Sequence, residues 1–450
     1  MKYKRFLLCV ILAAFVLLCA GCNLNERDSL FALPELSGRY RYLQKELDKI
    51  LAEGASYAVA GTGTMRSSVQ LADLNGDGKE EAIGLFLSKD GVPEVHVFRM
   101  ESQSCTWLGK LTGVGIGIRE IRFFSRGTQG QRALAVSWAY ENEARYYGMT
   151  VAGVGGNELF TMLDLQYSAC LPKDLDKDGV EELIFVRPVK GNEALSAYVY
   201  QLEGASYRVL TQASLCAEAQ SVLKMRYDSV VKDAATLVVD STAKGGGFVT
   251  DVLTFDGEKM DNLTRDPISG SGAAYWRKVA VPAYDINGDG LLELPAAAFA
   301  DAEGDGQKRI LWKSLQVGGA KTVAMAYHNV EERWALLWPE AWPAEISAGV
   351  YVEYSHQENT SETVFYVWDA DVENQQLRKR VLLTIWAFQG EERARNRTRH
   401  YAVKPLNEDG EILYGYTLPQ EEAVDGYSLT AEMVKQLFCQ MNGSLEGGNE

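Results

Sequence analysis

The sequence predicts a mainly β chain, organised as a propeller-like repeat array that is incomplete or irregular, with a short helix before it and a small α+β domain after it. Three observations lead there. An acidic loop motif recurs three times in register, short strand-like runs follow each copy, and the pattern stops near Gln316, where the composition turns rich in tryptophan. In chain order the expected layout is a secretion signal over 1–21, a tether over 22–35 and a helix with its lead-in over 36–67. The repeat array then covers 68–320 and the Trp-rich domain 321–450. A mature chain of this length exceeds one ordinary core, so more than one domain is expected.

At the N-terminus Lys2, Lys4 and Arg5 precede an uncharged run over 6–20 that ends at Ala20-Gly21-Cys22. Charge, then an apolar run, then small residues is the pattern of a secretory signal, and the run is short for a membrane span. The residues before Cys22 resemble the lipobox of bacterial lipoproteins, with Cys19 where that pattern prefers Leu and Leu18 one step earlier. The resemblance implies cleavage before Cys22 and acylation of its thiol. The expected location is therefore extracytoplasmic, lipid-anchored to the bacterial cell membrane; an ordinary signal peptide or an uncleaved anchor would also leave the chain outside the cytoplasm. Loss of the three N-terminal cations takes the formal charge from −16 to −19. Such acidity excludes nucleic acid as a partner, since neutralising phosphates needs a basic face, and leaves the acyl groups as the hold on anionic lipid. With Cys9 and Cys19 removed and Cys22 lipidated, Cys105, Cys170, Cys216 and Cys439 are too few and scattered for a disulfide scaffold or zinc site. Their three possible pairings stay open.

The helix is expected from Leu43, Leu47, Ile50 and Leu51 at helical spacing, with Gly54 placed as a C-cap. From about Val69 the period becomes that of strands, in runs such as VHVF at 95–98, ALAV at 133–136 and AYVY at 197–200. Three segments then align: LADLNGDGKEEAIGLF from Leu71, PKDLDKDGVEELIFV from Pro172 and AYDINGDGLLELPAA from Ala283. Their first aspartates, Asp73, Asp174 and Asp285, lie 101 and 111 residues apart. The sequence after the first loop also aligns with that after the second. A unit of this length corresponds to two propeller blades of roughly 40–50 residues each. Loop-bearing blades therefore alternate with loopless ones, giving five, which is few for a closed ring. Either the C-terminal part or a degenerate blade completes the array, or it stays open.

Each loop spaces oxygen ligands as a hard divalent cation requires, with a glycine to turn the chain. The first offers Asp73, Asn75 and Asp77 at positions one, three and five, the carbonyl of Lys79 after Gly78, and Glu81 at position nine. The second offers Asp174, Asp176, Asp178, the carbonyl of Val180 and Glu182; the third offers Asp285, Asn287, Asp289, the carbonyl of Leu291 and Glu293. Position twelve holds Gly84, Phe185 and Ala296 instead of the acid that a helix-loop-helix calcium site or a dockerin needs. The motif, followed by an apolar strand, resembles the FG-GAP or VCBS repeat of integrin-like β-propellers, over about residues 68–320. That resemblance implies two or three bound Ca2+ ions that staple neighbouring strands within a blade, with Glu replacing the more usual Asp at position nine. The alternative is a set of hairpin turns that hold no ion. A fourth acidic stretch over 301–306 meets Arg309 where an acid is required, and reads as a turn.

The remaining constellations are weaker. His96, His328, His356 and His400 show no paired spacing, and no nucleophile elbow, phosphate loop or Cys-x-x-Cys occurs. In the last third, Trp334, Trp338, Trp342, Trp368 and Trp386 serve either as strand core or as a sugar- or peptide-binding face. Strand runs VFYVWD, VLLTIWAF and ILYGYTL precede a helix capped by Thr430 with Met433, Val434, Leu437 and Phe438 on one face. The basic run from Arg393 to Arg399 reads as an exposed hairpin. The expected function is a membrane-anchored, calcium-binding, non-catalytic module for a protein or glycan ligand. An extracytoplasmic hydrolase of polysaccharide or peptide with the propeller as accessory, and an envelope assembly or structural factor, are the alternatives.

Overall fold

Six antiparallel sheets follow one another along the chain, and in the first five the main strands pair in sequence order. The computed structural model describes residues 38–441 except 128–129, 141–145, 190–193, 233, 299–307, 317–318, 343–348, 356–358, 372–375 and 420–425. Side chains at 235, 349–355, 368–371 and 376–379 also fall outside the described set. The signal, the tether, Cys22, the 301–306 stretch, His356 and the side chain of Trp368 therefore lie outside the described residues.

The sheets stack face to face, and their strands are apolar on both sides for that reason. In the third sheet, Leu183 and Phe185 enter the core shared with the second sheet, while Ile184 and Val186 enter the core shared with the fourth. The second sheet divides likewise: Leu134 and Val136 face the first sheet, and Ala133 and Ala135 face the third. Runs such as ELIFV thus read as uninterrupted apolar strands in the sequence although their neighbours point to opposite cores. The fourth sheet carries a buried ion pair, Arg277 to Asp240 at 3.1 Å, both wholly inaccessible. Thr250 Oγ1 and the carbonyls of Val281 and Tyr275 accept three further guanidinium N–H groups at 2.9, 2.6 and 3.4 Å, which supports the buried charge.

The loop-bearing sheets are the first, third and fifth, so the expected alternation holds, and the Trp-rich region supplies a sixth sheet. Helix α1, Gly38–Ala52, covers the outer face of the first sheet by laying Leu43 and Leu47 on Ala82, Phe86, Phe98 and Met100. Each such leucine contributes about 1.5–3 kcal/mol of burial. That face is the one a closing blade would take, and the apolar cluster over it draws its described residues from α1, the loop after it and the first sheet. Among the described residues the array is open, and α1 caps it as end units cap a stacked repeat.

The C-terminal α+β unit consists of the sixth sheet with helices α2, Arg393–Arg399, and α3, Ala431–Leu437. It shares one core with the fifth sheet, in which Tyr327, Trp334 and Leu336 meet Phe365, Leu383, Ile385, Tyr414 and Val434. Position 320 falls within a strand of the fifth sheet, Gly319–Asn329, and the terminal strand Phe438–Gln440 returns to pair with Trp334–Leu337 of that sheet. Thr430 caps α3 by accepting the N–H of Met433 at 3.2 Å, as its sequence position suggested. The basic run is a correction: 393–399 is a short helix, not a hairpin. Its Arg and Ala residues favour helix, and Arg393 and Arg397 tie it down on the carbonyls of Gly410 and Asn407 at 2.8 and 2.7 Å.

Candidate functional site

The three acidic loops are built alike. Each joins two paired strand positions, Ala72 to Glu81, Lys173 to Glu182 and Tyr284 to Glu293. The glutamate at position nine turns back to accept the N–H of Leu74, Leu175 or Ile286 at 3.0, 2.8 and 3.0 Å. The first aspartate accepts the glycine N–H five residues on, at 2.8 Å in the first loop, 3.1 Å in the second and 2.9 Å in the third. The aspartate at position five holds the N–H of Lys79, Val180 or Leu291 at 2.8, 2.7 and 2.9 Å. These bonds fold each motif into the same compact turn. Burial raises the carboxyls of Glu81, Glu182 and Glu293 above the usual glutamate range.

Position three separates the loops. In the first, the Asn75 side-chain amide donates to Asp77 and Glu81, both at 3.2 Å; in the third, Asn287 donates to Asp289 at 3.0 Å and Glu293 at 3.2 Å. An amide N–H thus stands between the carboxylates as a partial positive charge. The second loop has Asp176 there, which brings a further negative charge and no donor. Glu182 Oε1 therefore lacks the amide its counterparts accept, and Asp174 Oδ1, whose counterparts accept the N–H of Gly76 and Gly288 at 2.7 Å, is likewise buried with no hydrogen-bond partner. Ligand oxygens of Asp174, Asp176 and Glu182 lie within 4.8 Å of one another. A hard cation accepting oxygen ligands fits this donor set, and Glu182, 2 % exposed, already points an unmatched oxygen at it.

The second loop departs in its backbone as well. Lys177 occupies a left-handed conformation, φ 64°, where Gly76 and Gly288 stand in the other loops at 78° and 75°. A side chain there costs about 1 kcal/mol. The second sheet clamps this loop: Ser125 Oγ donates to the carbonyl of Gly179 at 2.8 Å, and the Ser125 N–H donates to Glu181 at 2.7 Å. Ser125 carries no motif signal, because its role follows from the stacking of two sheets more than fifty residues apart.

Other titratable groups lie within the cores. Burial raises Asp251 to about 6, even as it accepts Asn262 Nδ2 at 2.7 Å and the N–H of Cys216 at 2.9 Å. The Cys216 thiol beside it is pushed up by burial, and His328, enclosed beside Trp312, is lowered to about 3 by burial. Cys105, Cys170, Cys216 and Cys439 are free thiols. Trp334 and Trp342 lie in the core that the fifth sheet shares with the C-terminal unit, with Trp338 packed against it.

No protein-family model matches the chain, and no curated protein matches it. Among solved structures it is similar to the β-propeller domain of the Trilobed protease from Pyrococcus furiosus, described as having an open velcro topology, at 12 % identity and a TM-score of 0.25. That match covers 73 % of this chain and 93 % of the other. A putative 6-phosphogluconolactonase from Bacteroides uniformis matches at 9 % identity and a TM-score of 0.23, over 72 % of this chain and 94 % of its own. The fold assignment rests on the strand order of the six sheets, a mainly β, propeller-like and open array.

Proposed function

We propose that this protein is a membrane-anchored, extracytoplasmic binding module whose propeller-like array is stapled by Ca2+, and that it binds a protein or glycan without transforming it. The observation that carries the calcium reading is the pair of orphaned, buried carboxylate oxygens of Asp174 and Glu182. An anion so placed is costly unless a cation matches it. The second loop is the primary seat; the first and third, where asparagine already holds the carboxylates, are weaker ones. The non-catalytic reading is supported by the placement of Cys216, Asp251 and His328, whose perturbed titration arises in sealed cores between sheets instead of in a cleft. The lipid anchor rests on the residues before Cys22.

The test is a calorimetric titration of Ca2+ into the metal-stripped mature chain carrying Cys22→Ser, with thermal unfolding followed alongside. One tight site lost in Asp178→Ala, up to two weaker ones, and a higher melting temperature are expected; absence of binding would reduce the loops to turns. In cells, Cys22→Ser is expected to release the protein from the membrane fraction, and retention would point to an uncleaved anchor.

A further inference from the structure

The first and second sheets flank a half-open cleft of about 210 Å3 at the end of the array opposite the acidic loops. Its position follows from register. Glu81 opens its strand beside the first loop, whereas the cleft residue Thr112 pairs with Glu94, which pairs with Phe86 at the far end of that strand. In the second sheet Trp138 pairs with Gly148 and Gly148 with Gln166, again away from Ser125 and Arg132, which touch the loops. The separation is the length of the strand Glu81–Leu87, about 20 Å.

The lining has a definite chemistry. Thr112, Tyr140, Thr150, Asp164 and Gln166 supply its polar groups. They are held in place by one another: Thr150 Oγ1 donates to Asp164 at 3.3 Å, Gln166 Nε2 donates to the Tyr140 hydroxyl at 3.3 Å, and the buried Trp138 donates to Thr150 Oγ1 at 2.9 Å. Val114, 78 % exposed, adds an apolar rim. Gly148 keeps the floor open, since a Cβ there would stand 3.0 Å from the Tyr140 hydroxyl and 3.2 Å from the Trp138 ring.

Among the described residues Asp164 is the only charge in this lining, so an anionic ligand would meet a like charge there and no described cation. Hydroxyls and an amide offer both donors and acceptors, which matches a ligand whose own groups both donate and accept; an ammonium group only donates. The space is smaller than the roughly 300–1,000 Å3 of sites for drug-sized molecules, and suits one sugar ring. We infer that the cleft binds a single neutral saccharide unit, with Asp164 and Gln166 on its hydroxyls and Val114 against its C–H face. The inference rests on the binding-module reading above and names both the ligand class and its seat.

Methyl glycosides of glucose, galactose, mannose and N-acetylglucosamine, with sialic acid and choline beside them, would be offered to the mature Cys22→Ser chain in saturation-transfer NMR and calorimetry. Binding of at least one neutral glycoside with a Kd on the order of 1 mM is expected. Asp164→Ala and Gln166→Ala, both at exposed side chains, should each weaken it about tenfold, and Gly148→Ala should remove it. Calcium binding measured on the same variants should be unchanged, which also shows that they fold. Absence of neutral-glycoside binding while calcium still binds overturns this inference and leaves the calcium-stapled module standing. Preference for choline or sialic acid overturns it, as does binding indifferent to Asp164→Ala and Gln166→Ala. Loss of calcium binding by the parent chain, with the glycoside still bound at the cleft, overturns the calcium reading alone.

Discussion

Replacing Asp176 with asparagine should move the protein in opposite directions with and without metal. The variant gives the second loop the side chain its two sister loops carry. At 4.8 Å two unit charges repel by about 3.5 kcal/mol at an effective dielectric of about 20, and by about 0.9 kcal/mol in bulk water. Asp176 is exposed, so its repulsions with Asp174 and Glu182 lie near the lower figure, about 2 kcal/mol for the two together. The new amide also gains Glu182 Oε1 as an acceptor, a further contribution of about 1 kcal/mol. Metal-free Asp176→Asn should therefore be more stable than the parent by about 2–3 kcal/mol. With an unfolding entropy of about 2.1 cal/mol/K per residue, that is a rise in melting temperature of roughly 3 °C. In millimolar calcium the ligand set has lost a charge, and each tenfold loss of affinity removes about 1.4 kcal/mol of the metal's stabilisation. Differential scanning calorimetry in chelator and in calcium reads both effects. Equal destabilisation of the variant in the two conditions would refute the claim that unmatched carboxylates define the second loop.

Two further outcomes test the stack itself. Asp251 has its folded pKa raised to about 6 from 3.8, so the native state holds the proton more tightly than the unfolded chain does. Stability from this group is then present below about pH 4 and is lost as pH rises towards 6, to a total of about 3 kcal/mol. Asp251→Asn keeps the acceptor oxygen for Cys216 and Asn262, so it should equal the parent at pH 4 and exceed it at pH 7 in urea unfolding; parallel curves would reject the assignment. Leu47→Ala should cost about 2–4 kcal/mol by leaving a cavity over Phe86 and Phe98, whereas Gln44→Ala on the exposed side of α1 should cost under about 0.5. Comparable small losses for both would mean that α1 does not cap the first sheet.

The acidic loops, the alternation of loop-bearing and loopless sheets, α1 and the cap at Thr430 were all readable in the linear sequence. Each depends on residues a few positions apart: ligands at offsets of two, apolar side chains at offsets of three and four, a hydroxyl three residues before the N–H it accepts. The difference between Asp176 and its asparagine counterparts was visible too, but its consequence was not. Only the folded loop shows that the amide of Asn75 reaches Glu81 and that the second loop leaves two buried oxygens unmatched. The basic run at 393–399 misled because charge pattern alone does not tell an exposed turn from a short helix anchored on distant carbonyls.

By itself, then, the sequence determined the elements and the three acidic loops, since these follow from backbone periodicity and local hydrogen bonding. The tertiary structure decided how they combine. It added the sixth sheet, returned the strand Phe438–Gln440 to the fifth, and opened the array by placing α1 on the first sheet. It also drew Thr112, Tyr140, Thr150, Asp164 and Gln166 into one cleft across a fifty-residue span. Those arrangements depend on which apolar face covers which, and burial is non-directional, so the pairing of faces is settled only when the whole stack is assembled.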